Sequence, residues 1–317
     1  MNPSAIRNDN RHHRDFISEL DFTREEVIET LALARELKEL TGIRDTPESK
    51  ALKGQTWGLI FHKPSLRTRV SFEVGINQLG GRHMYLTDQE IQLGKRETVA
   101  DAARVLSRYL SGIVIRTFKH SDVEELAKYA DIPIINGLTD LLHPCQIFAD
   151  LLTIYEKLGR YEDFKIVYLG DGNNITNSWL NLSTILGFEL VVATSPDTMP
   201  DPDILDRARR STISRVSVTH DPIEAVVGAH VLYTDVWASM GQKDKASQKE
   251  QALQNFQINQ KLVAKADLEC IVMHCLPAER GREITDDVMD GPHSVVFDQA
   301  ENRMHMQKAI ILKLIEG

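Results

Sequence analysis

The sequence predicts an α/β protein built from two doubly wound, parallel-sheet domains joined by helices. Three observations carry that prediction. Apolar runs of strand length alternate with segments of helical spacing from one end of the chain to the other, which is the signature of strands laid side by side and covered by helices on both faces. The alternation restarts after a long helical segment that opens at Pro144. With 317 residues, 42% of them hydrophobic, the chain can build two cores of ordinary size. The division expected is residues 1–145 and 146–298, with 299–317 as a closing helix.

Residues 1–15 are polar and read as a short arm. The first helix is announced by Thr23 and Glu26, spaced as a capping box, with Phe22 placed to staple onto Val27. Val27, Leu31, Ala34, Leu37 and Leu40 form its apolar stripe, and Gly42 marks its end. Thr56 to Phe61 is a buried strand. It runs into Lys63-Pro64-Ser65-Leu66-Arg67-Thr68-Arg69, which opens a helix extending through Leu79 to the stop at Gly80-Gly81. Two hydroxyls and two guanidinium groups crowd that first helical turn, where backbone N–H groups lack intrahelical partners and the macrodipole favours an anion. Arginine adds a planar fork matched to phosphate oxygens, so this helix start reads as a phosphate or phosphate-ester site rather than a merely solvated cap.

His83 to Leu86 is a short strand, and Thr87 to Glu97, containing Gln92, is a polar exposed loop before a helix starting near Thr98. Gly112 to Phe118 is a strand with Arg116 near its end. Ser121 to Ala130 is a helix with a Ser-x-x-Glu cap, and Pro133 to Gly137 is a further strand. Pro144 suits the first position of a helix that reaches Leu158 and stops at Gly159. His143 and Gln146 flank its start. The imidazole can either cap the helix or reach, together with the amide, toward one ligand.

The second half begins with the strand Lys165 to Leu169 and the turn Gly170-Asp171-Gly172-Asn173-Asn174, followed by a helix from about Thr176 to Leu186. A dinucleotide fold starts in this way, but the third glycine is missing and two asparagines stand where a pyrophosphate needs bare backbone, which argues against a nucleotide-dependent dehydrogenase. Glu189 to Thr194, Val216 to Thr219, His230 to Val236 and Cys270 to His274 supply four more strands. Ligands in such sheets bind beyond the carboxyl ends of strands, and two ends are polar: Asp235 to Gly241, leading into the lid-length polar segment Gln242 to Gln254, and His274-Cys275-Leu276-Pro277. A short last strand is expected at Ser294 to Phe297, then a terminal helix carrying Arg303, which reads either as a surface charge or as a site residue.

Composition excludes several classes. A net charge of −9 and the lack of a Lys/Arg run remove the electrostatic footprint of a nucleic-acid binder. No window approaches the roughly 18 apolar residues of a membrane span, and the polar N-terminus is no secretory signal, so a cytoplasmic protein without a membrane partner is expected. Cys145, Cys270 and Cys275 are odd in number and form no Cys-x-x-Cys pair, which opposes disulfides and a structural zinc; no metal site is expected.

Four separated motifs, Ser65-Leu66-Arg67-Thr68-Arg69, His143-Pro144-Cys145-Gln146, Asp235 through Ser239-Met240-Gly241, and His274-Cys275-Leu276-Pro277, stand in the order of the aspartate/ornithine carbamoyltransferase family, which the sequence resembles over nearly its whole length. Leu66 departs from the pattern, since many relatives carry a second hydroxyl there; its backbone N–H remains available. The resemblance implies transfer of the carbamoyl group of carbamoyl phosphate to an amine, most closely the δ-amine of L-ornithine, giving L-citrulline and phosphate without a cofactor. Putrescine, N-acetylornithine and aspartate are the alternative acceptors. It implies that Ser65, Leu66, Arg67, Thr68, Gln92 and Arg116 hold the phosphate. Arg116, His143 and Thr68 would face the carbonyl oxygen. Gln146, with the backbone of Cys275 and Leu276, would orient the carbamoyl NH2, and Arg303 would complete the donor site. Asn174, Asp235, Ser239 and Met240 would bind ornithine, and Arg67, Arg116, His143, Asp235 and Cys275 form the expected catalytic set. The resemblance further implies a carbamoyl phosphate-binding domain over 1–145, onto which the 299–317 helix packs back, an ornithine-binding domain over 146–298, and a homotrimer, or a multiple of trimers, in which a neighbour donates the Gln92 loop.

Overall fold

The structure, a computed structural model, describes residues 13–43, 45–237 and 246–316. After helix α1 (Arg24–Glu39), strands β1 (Thr56–Phe61), β2 (Arg82–Thr87), β3 (Gly112–Arg116) and β4 (Ile134–Leu138) form a four-stranded parallel sheet in the order β2-β1-β3-β4. Between them run α2 (Leu66–Gln78), the one-turn α3 (Asp88–Ile91), α4 (Val99–Leu106) and α5 (His120–Tyr129). Helix α6 (Pro144–Leu158) leads to the second sheet, in which β5 (Lys165–Leu169), β6 (Glu189–Ala193), β7 (Arg215–Thr219), β8 (Val231–Thr234) and β9 (Ile271–His274) lie parallel in the order β7-β6-β5-β8-β9. Its covering helices are α7 (Asn174–Leu182), α8 (Pro202–Arg210), α9 (Pro222–Ala225), α10 (Ala246–Leu253), α11 (Gln260–Val263) and α12 (Asp286–Met289), and α13 (Val296–Glu316) ends the chain.

The two-residue period of a strand distributes its side chains between two cores. Trp57, Leu59 and Phe61 of β1 enter a central core with α1, α2 and α13, whereas Ile60 points to an outer core with Ala102 and Ala103 of α4 and Val123 and Leu126 of α5. Likewise Ile166 and Tyr168 of β5 face the central core, and Val167 and Leu169 face an outer core with α11 and α12. The central core runs unbroken between the two sheets because α6 and α13 lie inside it. Every residue of α6 from Pro144 to Ile154 is buried, so its polar members, Gln146, Asp150 and Thr153, must find partners within the protein. Phe148 of α6 packs edge-on against Phe16 and Phe22, which fixes the chain ahead of α1 to this helix.

Most elements form where periodicity places them, including the Thr23–Glu26 capping box and the left-handed Gly159 that ends α6. Four differences have local causes. Thr87 and Glu90 form a capping box that curls part of the polar 87–97 loop into α3. Helix α5 starts at His120 behind Lys119, so Ser121 does not cap it. Asn173 caps α7 by accepting from the Ile175 and Thr176 N–H groups, which starts that helix at Asn174. Ser294 makes only an isolated bridge to Val272, and the expected last strand is the first turn of α13. The glycine-rich turn after β5 also has a structural reason: a Cβ on Gly172 would lie 2.2 Å from the Pro200 nitrogen and 2.4 Å from the Met199 carbonyl carbon, so glycine there serves a backbone crossing.

Candidate active site

The carboxyl ends of both sheets face each other across the central core, and the polar strand ends meet there. Ser65 caps α2, its hydroxyl accepting the Thr68 N–H at 3.3 Å, which turns Thr68 inward to full burial. The Thr68 hydroxyl oxygen accepts from Nη1 of Arg116, the last residue of β3, at 3.2 Å, and from Nη2 of Arg303, on α13, at 2.9 Å. One hydroxyl thus gathers two buried guanidinium groups from distant parts of the chain. Burial, then the neighbouring Arg303 and Arg67 charges, pulls Arg116 down to about 10. Burial also lowers Arg303 and half-buried Arg67, for which Cys275 and Asp235 act in the opposite sense. All three remain cationic at neutral pH. Among the described residues no carboxylate pairs with them, and the buried Nε atoms of Arg116 and Arg303 have no partner. Like charges held together without counter-ions call for a multiply charged anion.

The rest of the opening motif sorts by direction. Leu66 is 74% exposed, so it offers the site its backbone alone. Arg69 faces outward, paired with Glu73 at 2.8 Å and stacked over Tyr85 at 3.7 Å, so one arginine of the motif, not two, points at the anion site. Buried Lys63 is neutralised by Asp140 and lies 4.1 Å over the Phe118 ring. Gln92 is exposed, in a left-handed conformation after α3, and is not brought to the arginine cluster within this chain.

Helix α6 delivers the other donor-site groups. His143 precedes Pro144 and its imidazole does not cap the helix. Its backbone N–H donates to the Ser178 hydroxyl at 2.8 Å, and its Nδ1 is buried without a partner. Burial, reinforced by Arg303 and Arg116, holds its pKa well below the usual histidine value, so the ring is neutral. The Gln146 amide nitrogen donates to Asp150 at 2.8 Å, leaving its oxygen buried and unpartnered. The neutral imidazole therefore lies near the Arg303 and Arg116 charges, with the unpartnered amide oxygen one helical turn on from it.

The second sheet supplies the opposing wall. The Asp235 carboxylate accepts from the Asn173 amide at 2.8 Å, the Val236 N–H at 2.8 Å and the Cys275 thiol at 3.0 Å. Burial, then Asp235, keeps Cys275 a protonated thiol. Asn174 sends its amide to the Thr139 carbonyl of the first sheet's side at 2.8 Å, whereas Asn173, which sequence reasoning passed over, is the asparagine that touches Asp235. Leu276 adopts a left-handed φ of 58° and its N–H donates to His274 Nδ1 at 2.8 Å, which leaves its carbonyl as the group it can offer. Ser239 and Met240 lie outside the described residues. Asp235, His274 and Cys275 offer ligand atoms within 4.8 Å of one another, yet His274 spends Nδ1 on Leu276 and Nε2 on Glu283 at 3.0 Å, so it has no free lone pair for a metal. Asp150, Ser178 and Asn173 support this site and lack any motif of their own; the only sequence signal for Asp150 is its position four residues after Gln146 on a helix.

Two family models match the chain in succession. Residues 14–156 match the family model of the aspartate/ornithine carbamoyltransferase carbamoyl-P binding domain, and residues 162–314 match that of the Asp/Orn binding domain. The chain is 53% identical over 304 residues to the ornithine carbamoyltransferase of Syntrophus aciditrophicus, covering 95% of this chain and 99% of the relative. It is 51% identical to that of Thermococcus kodakarensis, covering 96% and 97%. The solved ornithine carbamoyltransferase of Pyrococcus furiosus superposes with a TM-score of 0.91 at 46% identity, over 96% of this chain and 98% of that one. Two family models that together span nearly the whole chain, and relatives more than 50% identical over at least 95% of it, show that the chain belongs to the aspartate/ornithine carbamoyltransferase family.

Proposed function

We propose that the protein transfers the carbamoyl group of carbamoyl phosphate to the δ-amine of L-ornithine, forming L-citrulline and phosphate. The observation that carries this reading is the set of three guanidinium groups without counter-ions beside the unpartnered Gln146 oxygen and His143 Nδ1. A phosphate dianion answers the first feature, and a carbamoyl amide answers the second. In the reaction the amine nitrogen bonds to the carbonyl carbon, the bond from that carbon to the bridging phosphate oxygen breaks, and one amine proton leaves with phosphate. Negative charge grows first on the carbonyl oxygen, beside Arg116, Thr68 and His143, and then on the leaving phosphate, beside Ser65, Arg67 and Arg303; such fixed donors stabilise the transition state without reorganising. The Leu66 N–H and a Gln92 supplied by a neighbouring subunit complete the phosphate cradle in this reading.

An alkylammonium with a pKa of about 10.4 must lose a proton to attack, and burial of its stem favours the neutral amine. Asp235 acts as counter-ion for the α-ammonium, its carboxylate held by the Cys275 thiol, and this reading assigns Asn174, Ser239 and Met240 to ornithine as well. A carboxylate at this position disfavours aspartate as acceptor, because it faces like charge. The same reading assigns 1–145 to carbamoyl phosphate and 146–298 to ornithine, with α13 returning to the first. It also assigns assembly as a homotrimer, and a cytoplasmic role in arginine biosynthesis. Among the described residues no helix is long and apolar enough to cross a membrane.

The test is a carbamoylation assay with carbamoyl phosphate and a panel of amines at equal concentration. Ornithine is expected to be the preferred acceptor; preference for putrescine or N-acetylornithine would sink the ornithine assignment, and no product with any amine would sink the transferase. Arg67→Ala should abolish carbamoyl phosphate binding in a folded protein.

A further inference from the structure

The buried acid on α6 next to the donor site has no part in the reaction as written, yet every hydrogen-bonding atom of its carboxylate is engaged. Asp150 Oδ1 accepts from the amide nitrogens of Gln146 and Gln299, each at 2.8 Å, and Oδ2 accepts from the Tyr233 hydroxyl at 2.7 Å. The partners come from α6, α13 and β8, so this one side chain ties the two buried helices to the second sheet.

We propose that Asp150 is a positioning residue that sets the donor site's preference for a carbamoyl over an acyl group, by turning the Gln146 amide so that its oxygen faces the ligand. The proposal rests on the carbamoyl phosphate reading above. Its logic is the polarity of a hydrogen-bond chain with one fixed end. A backbone N–H can only donate, and that of His274 donates to Gln299 Oε1 at 2.9 Å. The Gln299 nitrogen must then face Asp150, where it meets an acceptor. An ionised carboxylate can only accept, so Gln146 must also turn its nitrogen toward Asp150. Burial pushes the Asp150 carboxyl up to about 6, which leaves it ionised at neutral pH. The last atom in the chain, Gln146 Oε1, is buried and unpartnered, on the opposite side of the amide from Asp150 and one helical turn from His143. A carbamoyl NH2 donates to that oxygen. The methyl of acetyl phosphate, alike in charge, cannot, and would leave it desolvated and unpaired, a loss worth about 10- to 100-fold in affinity.

The experiment compares dissociation constants for carbamoyl phosphate, acetyl phosphate and inorganic phosphate on the full-length protein. Wild type should favour carbamoyl over acetyl phosphate by at least about tenfold. In Asp150→Ala, with folding verified by circular dichroism, that ratio should fall toward one while inorganic phosphate binds within threefold of wild type. A folded Asp150→Ala protein that keeps the wild-type ratio overturns the proposal, as does one in which all three ligands weaken together, since that is general damage to the pocket. Gln146→Glu decides independently if Asp150→Ala does not fold. At about pH 6, where two carboxylates in contact share one proton, it still presents an oxygen to the ligand and should keep the ratio within threefold, whereas Gln146→Leu should lose it. Collapse in Gln146→Glu to the Gln146→Leu value overturns the assigned orientation. Wild-type protein that binds no carbamoyl phosphate would instead sink the functional reading itself, an outcome distinct from a retained ratio.

Discussion

Thr68 shows how much one small side chain can organise. Its hydroxyl accepts from both Arg116 and Arg303, so its removal leaves two buried N–H groups unpaired and the two cations free to diverge. Thr68→Val, nearly isosteric, should lower kcat/KM by about 100-fold, in line with the loss of one oriented electrostatic element. A variant within threefold of wild type in steady-state assays would mean that Thr68 does not organise the pair. His143 makes a different prediction. Its folded-state pKa lies below the ordinary 6.5, so the neutral ring contributes stability that is present above that value and lost as pH falls below it. The kcat/KM profile should accordingly show no His143 limb between about pH 6 and 8. An inflection near 6.5 that disappears in His143→Asn would contradict a neutral imidazole. Neither behaviour is legible in the sequence, where His143 reads equally as a cap.

Among the elements, α6 carries the most. Its buried apolar residues come from a long apolar pattern, and its ends from Pro144 and Gly159, so its existence and limits are plain from sequence. Which of its faces meets the N-terminal arm is not, because that depends on Phe16 and Phe22 arriving from elsewhere. Phe148→Ala should cost about 3–5 kcal/mol by chemical denaturation, since it leaves a cavity among three interlocked rings. A loss below about 1 kcal/mol would mean the arm repacks freely. The turn after β5 gives the opposite lesson. Its sequence already argues against a dinucleotide cradle but leaves the glycines unexplained, and the structure shows Gly172 required by the close passage of Met199 and Pro200. Gly and backbone contact are linked in both readings; only the contacting partner differs, and that partner is about thirty residues away in sequence.

At the scale of the whole molecule the two sheets are held by a shared core and by buried polar ties. Glu19, from the segment before α1, is fully buried against α7, where it accepts from Asn181 at 2.9 Å. Burial raises its pKa from 4.5 to about 7, so the folded state holds a proton that the unfolded state has released between those values. Stability should therefore fall as pH rises from about 4.5 to 7, by roughly 3 kcal/mol at most from this group. Glu19→Gln should flatten that slope in thermal or denaturant unfolding across pH, and an unchanged slope would show that Glu19 is not its source. What the sequence determined by itself is the alternation of strand and helix, the caps and stops, and the short motifs whose residue types suit a phosphate, a carbonyl and an amine. These are properties of neighbours along the chain, set by periodicity, by unsatisfied backbone groups at helix ends and by side-chain chemistry. Only the tertiary structure decided that Arg69 turns away while Arg303 turns in, that Asn173 touches Asp235, and that Gln146 is held in one sense by Asp150. Arg303 and Asn173 are fixed by partners remote in sequence, Thr68 and Asp235, which leave no trace in the local pattern. Arg69 and Gln146 have partners only four residues on, Glu73 and Asp150, but the direction in which each helix presents those pairs is set by what the helix packs against.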